Sequence, residues 1–165
     1  MSEAPARLHL HRSTDVRDLL GASREIAGFI PVPPPEELAP LMLAAYRGTP
    51  DDEGENLQDT IDILRATMRG RYGEWMPEAS FLAIDENALP TGAILTAQED
   101  DGTPFVAFVF VDPDHCGRGT ASGLIARTCR ALSASGHESV RLWVGASNQR
   151  AVCLYRHLGF VDVID

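Results

Sequence analysis

The glycine-rich stretch at 112–132 contains the residues of this sequence best suited to bind an anion. Gly117 and Gly119 flank Arg118, and a helical pattern of apolar residues follows them directly. Backbone N–H groups that converge at a helix N-terminus favour a phosphate, and the positive end of the helix dipole adds to this preference. The stretch therefore predicts either a phosphate site built from main-chain amides or an ordinary turn before a helix.

Two common phosphate-binding motifs are excluded by individual residues. A Walker loop requires a lysine, and the chain has none because all 14 of its basic residues are arginine. A dinucleotide-binding fingerprint needs glycine or alanine where the chain has Ser122, and an acidic residue after the next strand, whereas Glu138 precedes that strand. What remains is a nest of amides from five consecutive residues: Gly117, Arg118, Gly119, Thr120 and Ala121.

The hydrophobic pattern predicts the helices and strands that position this nest. Helices are expected over 15–30, 35–48, 56–73, 122–132 and 148–158. Strands are expected over 7–12, 81–85, 92–97, 104–111, 139–144 and 159–164. A helix-rich first half, an antiparallel middle and a β-α-β-α-β end predict an α/β sandwich. We expect one domain over 31–165, preceded by an extension over 1–30 that consists of a short strand and a helix.

The composition restricts the classes of partner. A formal net charge of −10 disfavours nucleic acid and acidic membranes, because both repel an acidic surface. The three cysteines are widely spaced and form no zinc or redox motif, so we expect reduced thiols and no bound metal. The N-terminus lacks the apolar segment of a signal peptide, which favours a cytoplasmic protein. Arginine without lysine, together with abundant alanine, indicates a GC-rich bacterial genome.

Two motifs near the C-terminal end resemble the cofactor site of a known family. The later motif, Asn-x-x-Ala-x-x-Leu-Tyr-x-x-Leu-Gly-Phe, is complete: Asn148, Ala151, Leu154, Tyr155, Leu158, Gly159 and Phe160. The earlier motif departs from the family at Cys116, where arginine or glutamine is usual, and matches it at Val111, Pro113, Gly119 and Ala121. With both motifs present, the chain resembles the GNAT superfamily of N-acetyltransferases.

The resemblance implies a three-layer α/β fold, in which helices flank a central mixed and mostly antiparallel sheet. It also implies an enzyme that uses acetyl-coenzyme A as co-substrate and moves its acetyl group to a primary amine by direct attack. The Tyr155 hydroxyl is expected to act as general acid for the departing thiolate. The cofactor is expected to contact the nest, the preceding Cys116 and four further residues: Val109, Phe110, Val111 and Asn148.

The acceptor amine is less constrained by the sequence. A small cationic amine is predicted to bind four acidic residues: Asp51, Asp52, Glu55 and Glu99. A clustered acidic loop is also typical of a solvated surface. Some family members that acetylate peptide N-termini have a glutamate five residues before the asparagine, where this chain has Trp143. The general base therefore stays open. The alternatives are a coenzyme A-binding sensor or partner module without transfer activity, and a protein or peptide N-acetyltransferase.

One strand of the family's sheet has no counterpart at the end of this sequence. Members of the family usually continue with another strand after the segment that corresponds to 159–164, whereas this chain stops at Asp165. An exposed edge in its place would favour aggregation. We expect the gap to be filled either by the alternating segment at 7–12 or by a second subunit, which would make the protein a homodimer.

Overall fold

The computed structural model describes residues 6–19 and 26–164, apart from the Asp18 side chain. The strands are β1 Arg7–Ser13, β2 Gly28–Pro31, β3 Glu74–Trp75, β4 Phe81–Ile84, β5 Pro90–Gln98, β6 Pro104–Val111, β7 Ser139–Gly145 and β8 Val161–Asp162. The α-helices are α1 Pro35–Tyr46, α2 Leu57–Met68, α3 Thr120–Ala134 and α4 Gln149–His157. Residues 17–19, 77–79 and 113–115 form single 3₁₀ turns.

All strands of the described chain join one sheet, in the order β2-β4-β5-β6-β7-β1-β8, and β3 lies beside β5. The pairs are antiparallel except β6 and β7, which run parallel. The parallel pair requires a crossover connection, and α3 supplies it. The predicted hairpin is formed by β4 and β5. The prediction of an α/β fold with a mixed, mostly antiparallel sheet is therefore confirmed.

Helices cover both faces of the sheet because successive side chains of its strands point to opposite sides. On one face α3 and α4 enclose a core that includes Ile94, Leu124 and Leu132, all completely buried. On the other face α1 and α2 pack against Ala93 and Leu95 of β5, and both of these residues are completely buried. The predicted buried side of α3 is confirmed, since all five of its residues are buried: Leu124, Ile125, Thr128, Cys129 and Leu132.

The N-terminal strand β1 fills the gap in the sheet. It pairs antiparallel with β7, where Leu10 faces Leu142, and antiparallel with β8, where Leu10 faces Asp162. The buried Arg12 guanidinium donates hydrogen bonds to the carbonyl oxygens of Leu158 and Asp15, which ties β1 to the end of α4. Two sources were expected for the missing strand, and the segment at 7–12 is the one that fills the gap.

The helix predicted over 15–30 is contradicted at its C-terminal end. Gly28–Pro31 forms β2 and pairs with β4, from Gly28 opposite Ile84 to Pro31 opposite Phe81. Glycine and proline at the two ends disfavour a helix, and the aromatic and β-branched residues between them favour a strand. Arg17–Leu19 is a single 3₁₀ turn, and 20–25 lie outside the described residues. Both β1 and β2 therefore belong to the common sheet.

In the described part of the chain, no helix combines the length and the apolar character that crossing a bilayer requires. Within the same residues, no three histidine, cysteine, aspartate or glutamate side chains are grouped so that they could hold a metal ion.

Candidate active site

The parallel strands β6 and β7 separate towards their C-terminal ends. In the described chain they are paired at Phe105 with Arg141 and at Val106 with Leu142. Directly after these pairs β6 carries a bulge, because Leu95 and Thr96 of β5 face Phe108 and Val106, which leaves Ala107 as an extra residue. Beyond the bulge, Val109, Phe110 and Val111 are paired with β5 on one side only. We call the space between the separating ends the β6–β7 opening.

The amide nest lies where β6 is connected to α3. Gly117 and Gly119 have φ angles of +77° and +81°, a left-handed conformation that favours glycine. Gly119 is the N-cap residue of α3 and makes no side-chain cap bond. The first bond of the helix ladder runs from the Gly123 N–H to the Gly119 oxygen at 2.9 Å, so the N–H groups before it have no partner within the helix. This arrangement fits a bound pyrophosphate.

The cofactor residues predicted in this stretch come together around the nest. Cys116, Gly117, Arg118 and Gly119 are exposed, and Thr120 is buried at the first turn of α3. A side-chain carbon added at Gly117 would meet nothing within 4 Å, so open space lies above the nest. The Cys116 Sγ lies 3.7 Å from the carbonyl oxygen of Asp112, at the rim of the nest.

Coenzyme A is expected to protect Cys116 from alkylation. Bound pyrophosphate at the nest would restrict access to a thiol at its rim, whereas Cys153 is exposed on α4 and provides a matched control. The rate of iodoacetamide labelling at each cysteine, read by peptide mass spectrometry, should fall several-fold at Cys116 and stay constant at Cys153. Equal rates at Cys116 with and without coenzyme A would contradict this placement of the cofactor.

Tyr155 lies on α4, buried in the core formed with α3, and its ring contacts Phe160 edge-on at 5.7 Å. Burial raises the pKa of the Tyr155 hydroxyl well above its usual value, and the negative charge of Asp51 raises it further. The phenol therefore stays protonated at neutral pH, which a general acid requires.

Tyr46 is a half-buried tyrosine near Tyr155, and the sequence did not predict a role for it. It ends α1 and packs on Phe110 of β6 at 6.0 Å between ring centroids. Burial raises its pKa, and electrostatic interactions with Tyr155 and Asp51 raise it further. Tyr46 packs with the core of α1 and α2, whereas Tyr155 packs with that of α3 and α4. The two hydroxyl-bearing side chains thus approach each other from opposite faces of the sheet.

Asn148 joins the cofactor side to the loop between α1 and α2. Its Oδ1 accepts a hydrogen bond from the Ala151 N–H at 3.2 Å, which confirms the predicted helix cap. Its Nδ2 donates to Asp51 Oδ2 at 2.8 Å. Asp51 also lies over the end of β7, since a side-chain carbon added at Gly145 would be 3.6 Å from Asp51 Oδ1. A half-buried carboxylate therefore stands beside the β6–β7 opening.

The other acidic residues of the predicted acceptor set have different surroundings. The Asp52 carboxylate accepts from the N–H groups of Gly48 and Gly54, and these bonds lower its pKa. Glu55 accepts from the Glu53 N–H at 3.1 Å, which also places it in the turn of this loop.

Glu99 lies at the opposite end of the sheet. It follows β5 and forms an ion pair with Arg141 at 3.1 Å, and Arg141 faces Phe105 near the start of β6. Asp101 binds the same guanidinium at 2.8 Å. Of the four predicted acceptor residues, the structure brings Asp51 to the β6–β7 opening.

Comparison with known proteins connects this geometry to a family. Residues 45–160 match the model of the acetyltransferase (GNAT) family. A mycothiol acetyltransferase of Saccharopolyspora erythraea is 38% identical over 102 residues, which are 61% of this chain and 33% of that protein. A mycothiol acetyltransferase of Mycolicibacterium gilvum is 33% identical over 173 residues, covering 92% of this chain and 54% of that protein. The chain thus spans between a third and about half the length of these curated relatives.

The fold is also similar to that of a solved acetyltransferase structure. The crystal structure of a GCN5-related N-acetyltransferase from Sphaerobacter thermophilus superposes with a TM-score of 0.67 at 21% sequence identity. The match covers 97% of this chain and 50% of that protein.

Proposed function

This chain belongs to the acetyltransferase (GNAT) family, and we propose on that basis that it transfers the acetyl group of acetyl-coenzyme A to a small primary amine. The observation that supports this most directly is the convergence of three groups at the β6–β7 opening. They are the Tyr155 hydroxyl, the Asp51 carboxylate and the main chain of 109–111.

The main chain of β6 and α3 holds the co-substrate in this proposal. The amide nest at 117–121 binds the pyrophosphate, because its glycines let the phosphate oxygens approach the backbone closely. Val109–Val111 present backbone groups on the side where β7 has separated. An N–H group there polarises the thioester carbonyl and stabilises the negative charge that develops on its oxygen.

Asp51 binds the acceptor as an ammonium ion and takes one of its protons. The free amine then attacks the thioester carbon, the new C–N bond forms, and the C–S bond breaks. Tyr155 gives its proton to the departing thiolate. The nitrogen loses a second proton as it becomes an amide nitrogen, and this proton restores the phenol through solvent. The proton on Asp51 leaves to water, so that each transfer releases one proton in total.

Thiol release from acetyl-coenzyme A across a panel of amines tests this function. The panel contains simple alkylamines, the acceptor of the mycothiol acetyltransferases, and peptides with free N-termini. We expect release with small amines, together with their acetylated products in mass spectra. Binding of coenzyme A without any acetylated product would identify a binding module instead, and products from peptides alone would indicate a peptide acetyltransferase.

Asp51→Asn is expected to lower kcat/KM for a cationic amine about 10- to 100-fold, because a hydrogen bond to a charged group contributes about 1.5–3 kcal/mol. Asparagine keeps an oxygen that can accept from Asn148, so the loop should stay in place. The measurement is steady-state kinetics with the amine varied at saturating acetyl-coenzyme A. Glu53→Gln removes the same charge from an exposed position of the same loop and is the control. Equal losses in the two variants would refute a direct contact between Asp51 and the amine.

A further inference from the structure

Trp143 is a large aromatic side chain on the exposed surface of β7. It is 45% exposed, whereas its neighbours Leu142 and Val144 are buried in the core under α3 and α4. Trp143 therefore points to the opposite face of the sheet, the face on which α1 and α2 lie. Nearly half of this aromatic side chain is therefore accessible beside the candidate active site.

One face of the Trp143 indole is covered by His9 of β1. The two residues are directly opposite each other in the β1–β7 pairing. Their rings are parallel within 4° and their centroids are 4.1 Å apart. This stack fixes the indole upright on the sheet, with its plane along the strands.

The second face of the indole is turned towards β6, because β1 and β6 flank β7 on opposite sides. The last pair between β6 and β7 in the described chain is Val106 with Leu142, so the strands separate beside Trp143. Across this gap the next residue of β6 on the same face is Phe108, which is half-buried. We call the space between the Trp143 indole and Phe108 the ring slot.

The ring slot is continuous with the Asp51 carboxylate. Gly145 lies two residues after Trp143 on the same face of β7, about 7 Å further along the strand. Asp51 Oδ1 lies 3.6 Å from the position of a side-chain carbon at Gly145. On this face of β7, the Asp51 carboxylate therefore lies beside Gly145, and the accessible face of the Trp143 indole lies two residues before it.

We propose that the acceptor is an arylalkylamine, a primary ammonium joined by a short linker to a flat aromatic ring. The ring enters the ring slot and stacks on Trp143, while the ammonium binds Asp51. Stacked aromatic pairs are favoured beyond the burial of their area, so the slot discriminates in favour of such amines. This inference rests on the proposed function, because it names the substrate class of the same site.

Three amines with similar ammonium groups test the ring slot: 2-phenylethylamine, 2-cyclohexylethylamine and n-butylamine. We expect wild-type kcat/KM to be about tenfold higher for 2-phenylethylamine than for n-butylamine, with 2-cyclohexylethylamine between them. Trp143→Ala should remove this preference, and Trp143→Phe should retain most of it. Trp75→Phe is the matched control, since Trp75 pairs with Ala97 in β3, at the far end of β5, and the variant should keep the preference.

A binding measurement makes the inference independent of turnover. In Trp75→Phe the remaining tryptophan is Trp143, and its fluorescence should change saturably with 2-phenylethylamine and much less with n-butylamine. If no amine is acetylated, the proposed function fails, and this titration still decides the ring slot. A flat titration, or an amine preference unchanged in both Trp143 variants, overturns it. A change of oligomeric mass in Trp143→Ala with the preference intact would assign the surface to contact between copies, which also overturns it.

Discussion

Replacing Tyr155 with phenylalanine is expected to lower kcat about 100-fold or more, which is the usual contribution of a general acid. The KM for acetyl-coenzyme A should change much less, because in the proposed function the pyrophosphate is bound by the main chain of the nest at 117–121 and not by Tyr155. Phenylalanine preserves the packing of the ring on Phe160, so the fold should stay intact. Steady-state kinetics at saturating amine and a thermal melt of the variant check these two expectations.

The burial of the Tyr155 hydroxyl also predicts how kcat depends on pH. The buried phenol has a raised pKa, so it remains protonated as the pH rises through the range in which an exposed tyrosine ionises, near about pH 10. Wild-type kcat should therefore show no loss from this group between neutral pH and about pH 9.

Tyr72→Phe is the control for the loss of a hydroxyl. Tyr72 is at the surface and contacts Phe108 edge-on, away from α4. Its kcat should match the wild type within about twofold, as surface substitutions usually have small effects. A kcat of Tyr155→Phe equal to that of Tyr72→Phe would remove the general-acid role.

Leu10→Ala is expected to destabilise the protein by about 3 kcal/mol, within the usual range for a leucine removed from a packed core. Leu10 is completely buried and lies in β1 between Leu142 of β7 and Asp162 of β8. Shortening it leaves a cavity at the centre of the part of the sheet that supports α4. Urea unfolding of the wild type and the variant measures the change in the free energy of unfolding.

Arg7→Ala is the control on the same strand, because Arg7 is exposed at the start of β1. Its effect on the free energy of unfolding should stay within about 0.5 kcal/mol. If Leu10→Ala were as mild as Arg7→Ala, then β1 would not be packed in the sheet in solution. The kinetic parameters of Leu10→Ala at low temperature then report whether β1 also supports the active site.

Much of the fold follows from local sequence patterns. The long helix after the nest has a strong helical period and the strand at 104–111 is a continuous apolar run, and the structure places both as predicted. β2 was missed because four residues are too short to show a period, and apolar residues on both sides of them match a helix equally well. The last strand is also shorter than predicted, Val161–Asp162 in place of 159–164.

The candidate site was only partly predictable, because its groups meet through tertiary contacts. The glycines of the nest are separated by a single residue in the sequence and were found from this spacing. In contrast, Asp51 and Asn148 are 97 positions apart, and nothing in the spacing singles out Asp51 from its acidic neighbours. Its neighbours Asp52 and Glu55 accept from backbone N–H groups instead, and Asp52 also forms an ion pair with Arg47. Tyr46 gave a weak signal, as a tyrosine at the end of a helix directly before the acidic loop.

The position of β1 has a consequence for how the chain folds. Arg12 in β1 and Leu158 after α4 are 146 positions apart, although they are joined by a hydrogen bond. Contacts between distant parts of a chain form slowly, because a long loop must close before they contribute. During synthesis, β1 emerges long before its two partners, and it stays unpaired until β7 has been made. Closure of the sheet is therefore expected to be a late step, and weakening β1 should expose unpaired strand edges and promote aggregation.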